Sequence, residues 1–191
     1  AGFGGDRRIM EYLVEDVLNA QPEPIQAFLL RTSVLERMCA DLCDAVIGDR
    51  ASDSEFPVPN PQSQAILEEL ERANLFVVPL DGQQRWYRYH ALFAEAMRDE
   101  ARRRLGAAGL CGLYARASRW YEWQGQLADA VEAALNAHEF AAAAELIERI
   151  VESRRHPNEL HTLRRWVEQL PEDIRDNHPA LCFAYASALL F

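Results

Sequence analysis

Lysine is absent from this chain of 191 residues: all twenty basic residues are arginine. That excludes, within these residues, a P-loop lysine, a Schiff-base lysine and a lysine general base. Cysteine is scarce and scattered, at Cys39, Cys43, Cys111 and Cys182, with no Cys-x-x-Cys pair. A structural zinc site needs four converging ligands, usually in two close pairs, so the four cysteines read as buried small thiols. Nothing approaches the roughly 18 uninterrupted apolar residues of a membrane span. The opening Ala-Gly-Phe-Gly-Gly-Asp has neither the basic start nor the apolar core of a signal peptide, and the expectation is a cytoplasmic protein with no membrane partner. Positive charge is in deficit as well. Twenty basic residues face thirty acidic ones, a net charge of −10, so nucleic acid is repelled on average.

What is present reads as a globular, mainly α chain of one or two domains. Asp6 can cap a helix carrying Ile9, Tyr12, Leu13, Val17 and Leu18 at helical spacing. Pro22 ends it, and Pro24 suits the first turn of a second helix with Ile25, Phe28 and Leu29. A third, near 39–47, presents Leu42, Cys43 and Val46 before Gly48. Residues 49–61 carry three prolines at alternate positions and read as an extended loop. A helix over 62–73 follows, with Ile66, Leu67 and Leu70 on one face. The β signal is confined to Leu75–Leu80 and Arg85–Tyr89, flanking Asp81-Gly82, a pair that admits positive φ. Pro79 restricts the first strand to an edge. Three helices and then a hairpin is the order of a winged helix.

From 91 onward the pattern is helical. A helix over 91–105 ends in Arg102, Arg103 and Arg104, favourable at the negative end of a helix dipole. Leu110, Leu113, Tyr114, Ala117 and Tyr121 follow at three- and four-residue steps, closed by Gly125, and further helices are expected near 127–137, 139–152, 159–170 and 179–190. Gly125 as a turn glycine places Tyr114, Ser118, Tyr121, Ala130 and Ala137 where a tetratricopeptide repeat wants aromatic and small residues. A second, weaker turn at His138-Glu139-Phe140 comes early, so the segment is repeat-like rather than regular. The expected division is a winged helix over 1–105 and antiparallel helical repeats over 106–191, continuing past Phe191.

Catalytic signals are few. His156 and His161 stand five apart with Pro157 between, the wrong spacing for a helical zinc pair; a small hydrolase using either is the remotest reading. In a winged helix the helix before the hairpin enters the DNA groove. Here it carries Glu68, Glu69 and Glu71 against Arg72, which phosphates repel. A DNA-binding winged helix, helped by the arginines at 102–104, 154–155 and 164–165, is the alternative reading. The segment Trp86-Tyr87-Arg88-Tyr89-His90-Ala91-Leu92-Phe93 is the most informative. Alternation puts Trp86, Arg88 and His90 on one strand face, Tyr87 and Tyr89 on the other. His90 lies where strand becomes helix, so its imidazole could face a groove outside the domain; on local features alone the favoured reading is a packing or helix-start residue.

The stretches "YLVEDVL", "FLLRTSVLERMCADLCDAV", "LERANLFVVPLD" and "WYRYHALFAEAMR" resemble the region after the nucleotide-binding core in MalT-like, ATP-dependent LuxR-type transcriptional regulators of the STAND class. "ASRWYEWQGQLADAVEAALNAHEFAAAAELIE" is similar to the opening of their helical sensor. The resemblance covers essentially the whole chain, with "ERANLF" and "RYHALF" its most specific part; the 49–61 loop is longer than the family's link. It implies a switch. An adjoining P-loop domain binds ADP or ATP, the winged helix packs over the nucleotide at rest, and His90, with Arg88 a weaker second, meets the phosphates. The repeat domain then takes an inducer or protein, and a distant helix-turn-helix binds DNA. The chain itself is implied to be non-catalytic, to hold no cofactor alone and to make no direct contact with nucleic acid. ATP binding and hydrolysis fall to the intact protein, whose nucleotide-binding domain is the partner.

Overall fold

The computed structural model describes residues 16, 18–48, 61–73, 76–82, 85–153, 160–178, 181 and 185. Most of the expected helix from Asp6, residues 49–60 of the expected loop, His156, Cys182, Arg154, Arg155 and most of the expected 179–190 helix lie outside them. Leu18, near the end of the first helix, is buried, and Pro61 opens a helix. The chain forms two compact units, residues 1–113 and 114–191. No helix among the described residues is long and apolar enough to cross a membrane. The fold is mainly α, a winged helix followed by helical repeats.

In the first unit, α1 (Glu23–Thr32) starts on Pro22, with Pro24 in its first turn where a missing N–H costs nothing. It buries Ile25, Phe28, Leu29 and Leu30. Its end is closed by the Ser33 hydroxyl, which donates to the Leu30 carbonyl at 2.7 Å, while Arg31 reaches across to the Ile47 carbonyl at 3.1 Å. The extended Cys39 opens α2 (Ala40–Ile47), whose Leu42, Cys43 and Val46 are completely buried. In α3 (Pro61–Arg72), Leu67 and Leu70 are buried, and the Ser63 hydroxyl donates to the Asp44 carboxylate, tying α3 to α2.

The hairpin pairs β1 (Val77–Pro79) antiparallel with β2 (Tyr87–Tyr89), in the register Val77 to Tyr89, Val78 to Arg88 and Pro79 to Tyr87. Met38, between α1 and α2, adds a one-residue bridge on the other side of β2: its N–H donates to the Tyr87 carbonyl at 2.7 Å and its carbonyl accepts the Tyr87 N–H at 2.8 Å. Pro79, which has no N–H to give, stands on the outer strand. The turn differs from the two-residue form expected at Asp81-Gly82. Leu80 N–H donates to the Trp86 carbonyl at 2.7 Å, and the Asp81 carboxylate accepts the Arg85 N–H at 2.9 Å. Neither Asp81 nor Gly82 has positive φ, because the Asp81 side chain closes a longer loop.

After the hairpin, α4 (Ala91–Trp123) is broken at Gly106, which lies at φ 70, ψ 173. Its first segment buries Phe93, Met97 and Ala101 at four-residue steps. Glu100 is buried on the same segment and is held by Arg103 at 2.5 Å and by Arg104, which also reaches Asn19 at 3.1 Å. The Gly106 conformation is essentially closed to residues with a Cβ. Gly106→Ala should therefore lower stability by about 1–3 kcal/mol, while Gly82→Ala should change it by less than about 0.5 kcal/mol. Thermal unfolding of the pair decides; equal costs would contradict the backbone assignment.

The second unit takes up the end of α4, then α5 (Leu127–Asn136), α6 (Phe140–Glu152), α7 (Leu160–Gln169) and α8 (Glu172–Asp176). Two successive helices end in the same turn. Gly125 (φ 71) donates to Glu122 O while Gln126 donates to Tyr121 O; His138 (φ 59) donates to Leu135 O while Glu139 donates to Ala134 O. This is the double capping bond of a Schellman motif used twice, with a histidine in the place where glycine is easiest. Ser118, Ala130, Ala137 and Ala143 are all buried, and the Ser118 hydroxyl donates to the Ala130 carbonyl at 2.9 Å. Small residues let these helices approach closely.

Candidate functional site

The site is built on the strand-to-helix corner that leaves the hairpin. In β2, Tyr87 and Tyr89 point inward and are 0% and 4% exposed. Tyr89 donates its hydroxyl to Thr32 at 2.7 Å, and Thr32 in turn donates to the Phe28 carbonyl at 2.8 Å. Burial pushes the Tyr89 phenol well up, so it stays a neutral donor. Burial also raises Tyr87, whose hydroxyl faces Gln64. Between and after these two anchors, Arg88 and His90 are exposed.

The backbone of His90 is fixed on both sides. Its N–H donates to the Phe76 carbonyl at 2.8 Å, and its carbonyl accepts the Ala94 N–H at 2.9 Å, the first bond of α4. The imidazole is therefore presented outward from a rigid corner. Two large apolar side chains of this region are also exposed, Leu80 opposite Trp86 at 46% and Leu92 in the first turn of α4 at 60%. Trp86 is half-buried, with the Arg37 guanidinium 4.9 Å from its ring centre, a cation–π contact. The face combines cations, aromatic surface and apolar edges. Phosphate recognition uses donors of the first kind, and docking uses apolar surface.

The helix α3 exposes Glu68, Glu69 and Arg72, with Gln64 donating to Glu68 at 2.8 Å. Of the arginine clusters, Arg102 pairs with Asp99 at 3.3 Å, Arg103 and Arg104 with Glu100, Arg164 with Glu168 at 2.7 Å and Arg165 with Glu132. These arginines serve intramolecular partners. His161 is exposed on α7, and His178 Nδ1 lies 3.1 Å from Glu148. No group of three or more histidine, cysteine, aspartate or glutamate residues among the described ones is placed to hold a metal. Cys43 is buried as expected, but Cys39 and Cys111 are only half-buried. Cys39 occupies the N-cap position of α2 in extended backbone. Burial pushes the Cys43 and Cys39 thiols up, toward the unreactive neutral form.

Sequence reasoning missed three parts of this site. Arg37 stands within the stretch "FLLRTSVLERMCADLCDAV" but is given no role there, and it reaches Trp86 only through the fold. Leu92, inside the "RYHALF" stretch, is given no role of its own, yet it is 60% exposed. Phe76, at φ 58, stacks on Phe93 with ring centres 4.7 Å apart and planes 9° apart, and nothing in a phenylalanine announces a left-handed backbone.

Comparison with known proteins places this corner in a wider context. The family model of the MalT winged helix domain matches residues 14–108. The serine/threonine-protein kinase PknK of Mycobacterium tuberculosis is 31% identical over 185 residues, 97% of this chain and 16% of that protein. The HTH-type transcriptional regulator MalT of Yersinia pestis is 30% identical over 178 residues, 93% of this chain and 18% of that protein. The chain thus spans less than a fifth of the length of these relatives.

Proposed function

We propose, from the premise that this chain belongs to the MalT winged-helix family through residues 14–108, that it is the interdomain switch of a nucleotide-controlled transcriptional regulator. The outer face of the hairpin docks on a nucleotide-binding domain elsewhere in the longer protein. There His90, and more weakly Arg88, meet the phosphates of bound ADP or ATP. The second unit opens a sensor array that takes an inducer or a protein. Such a regulator works in the cytoplasm, and its ATP chemistry resides in the partner domain, since this chain has no lysine for a phosphate loop.

The observation that carries this reading is the exposed His90 side chain on a backbone pinned by Phe76 and Ala94. A histidine serving only the fold would turn its ring inward, as Tyr87 and Tyr89 do. Imidazole and guanidinium donors beside a diphosphate sense its charge, and a ligand shifts a two-state balance only through such differential contacts. The exposed carboxylates of α3 weigh against a DNA-reading role for this winged helix.

A hydrogen bond to a charged group is worth roughly 1.5–3 kcal/mol. In the intact regulator, His90→Ala should therefore speed ADP release by about one to two decades and raise transcription without inducer. Melting should stay within about 0.5 kcal/mol of the parent, as for other exposed positions. Unchanged ADP release together with clear destabilisation would return His90 to a packing role.

A further inference from the structure

The geometry points to Phe76 as the positioning residue for His90, its left-handed backbone and its ring together holding the corner from which the imidazole projects. Among the described residues two non-glycines have positive φ, Phe76 and His138. His138 is explained by its helix-ending turn. Phe76 ends no helix, and a bulky aromatic residue in the left-handed region is a strained outlier that surrounding structure must hold in place.

What the conformation achieves is visible in the register. Continuing the pairing of Val77 with Tyr89 places Phe76 opposite His90, and the Phe76 carbonyl accepts the His90 N–H at 2.8 Å. Directly opposed residues share a face of the sheet, so an ordinary extended Phe76 would send its ring to the side where His90 stands. With φ at 58 the ring instead lies flat on Phe93, 4.7 Å between centres, while the carbonyl still reaches His90. Phe93 is 2% exposed and also meets Tyr89 at 5.5 Å. One residue thus fixes the corner twice. Its carbonyl holds the backbone of His90, and its ring holds the helix turn whose first hydrogen bond ends on the His90 carbonyl. An exposed side chain on so fixed a base has only its own rotamers to lose when it meets a phosphate, which is preorganisation.

This inference rests on the reading of His90 as a phosphate contact, and the test separates the two. In the full-length protein, release of a fluorescent ADP analogue is measured for His90→Ala, Phe76→Tyr, Phe76→Asn and the double variant Phe76→Asn/His90→Ala, with melting followed in parallel. Asparagine tolerates the left-handed backbone but has no ring to stack. Phe76→Asn should speed release about tenfold, within the range expected for His90→Ala and below the roughly hundredfold that misplacing a reacting group costs. Phe76→Tyr should release like the parent, and the double variant should be no faster than His90→Ala alone. If Phe76→Asn releases at the parental rate while His90→Ala is fast, the positioning role is wrong and the His90 reading stands. If the two effects multiply in the double variant, Phe76 acts through stability and the inference also fails. If His90→Ala leaves release unchanged, the underlying reading of the site falls, and this inference with it.

Discussion

Phe93→Ala is expected to destabilise the winged-helix unit by about 3–5 kcal/mol, while Leu92→Ala, one residue earlier, should change its stability by less than about 0.5 kcal/mol. The two stand side by side in the first turn of α4 and differ in exposure, 2% against 60%. Truncating Phe93 removes a buried ring and leaves a void against Phe76 and Tyr89, both within aromatic contact distance. It also frees the ring that holds Phe76 in its left-handed conformation, so the backbone partner of His90 is released as well. For a unit of this size the melting point should fall by more than about 10 °C. Leu92 has no comparable packing to lose. Its apolar surface instead belongs to the face proposed to dock, so Leu92→Asp should weaken nucleotide retention in the intact protein while melting stays parental. Equal losses of stability at the two positions, measured by circular dichroism, would show that the corner is not built as described.

That contrast also shows where the sequence was readable. The two-residue period of Trp86 to His90 separates Tyr87 and Tyr89 from Arg88 and His90, and the structure keeps that separation. Helical spacing found the buried faces of α1 and α2 and, apart from the half-buried Ile66, of α3, and glycine punctuation found the turn at Gly125. What escaped were features set by tertiary contact. The Met38 bridge is a single residue, too short to leave any period. Phe76 carries a backbone conformation that its own side chain disfavours and that stacking on Phe93 sustains. Glu100 is given no role in the sequence, yet it is buried and holds Arg103 and Arg104. The spacing was there to be read, since those arginines stand three and four residues on. The short helix α8 was passed over although Pro171, Glu172 and Asp173 form an ordinary helix start.

In the second unit, Glu132→Ala is expected to cost about 1–3 kcal/mol, the penalty of leaving a buried donor unpaired. Trp166 is 3% exposed, and its indole Nε1 donates to Glu132 at 2.7 Å. The same carboxylate takes Arg165, whose side chain is 54% exposed, so that ion pair is worth little. The carboxylate therefore matters through the indole. Arg165→Ala should be close to neutral, and Trp166→Phe, which removes the donor while keeping a ring, should make Glu132→Ala much cheaper. The coupling between the two sites should be about 1–2 kcal/mol by double-mutant cycle in urea unfolding. No coupling, or an Arg165→Ala loss as large as that of Glu132→Ala, would reverse the assignment. The bond matters for the architecture because it joins α5 to α7 past the intervening α6. Helical repeats stay stacked only when each pair covers the apolar face of its neighbour. A buried donor that finds its acceptor only across that gap favours the stacked register over a slipped one.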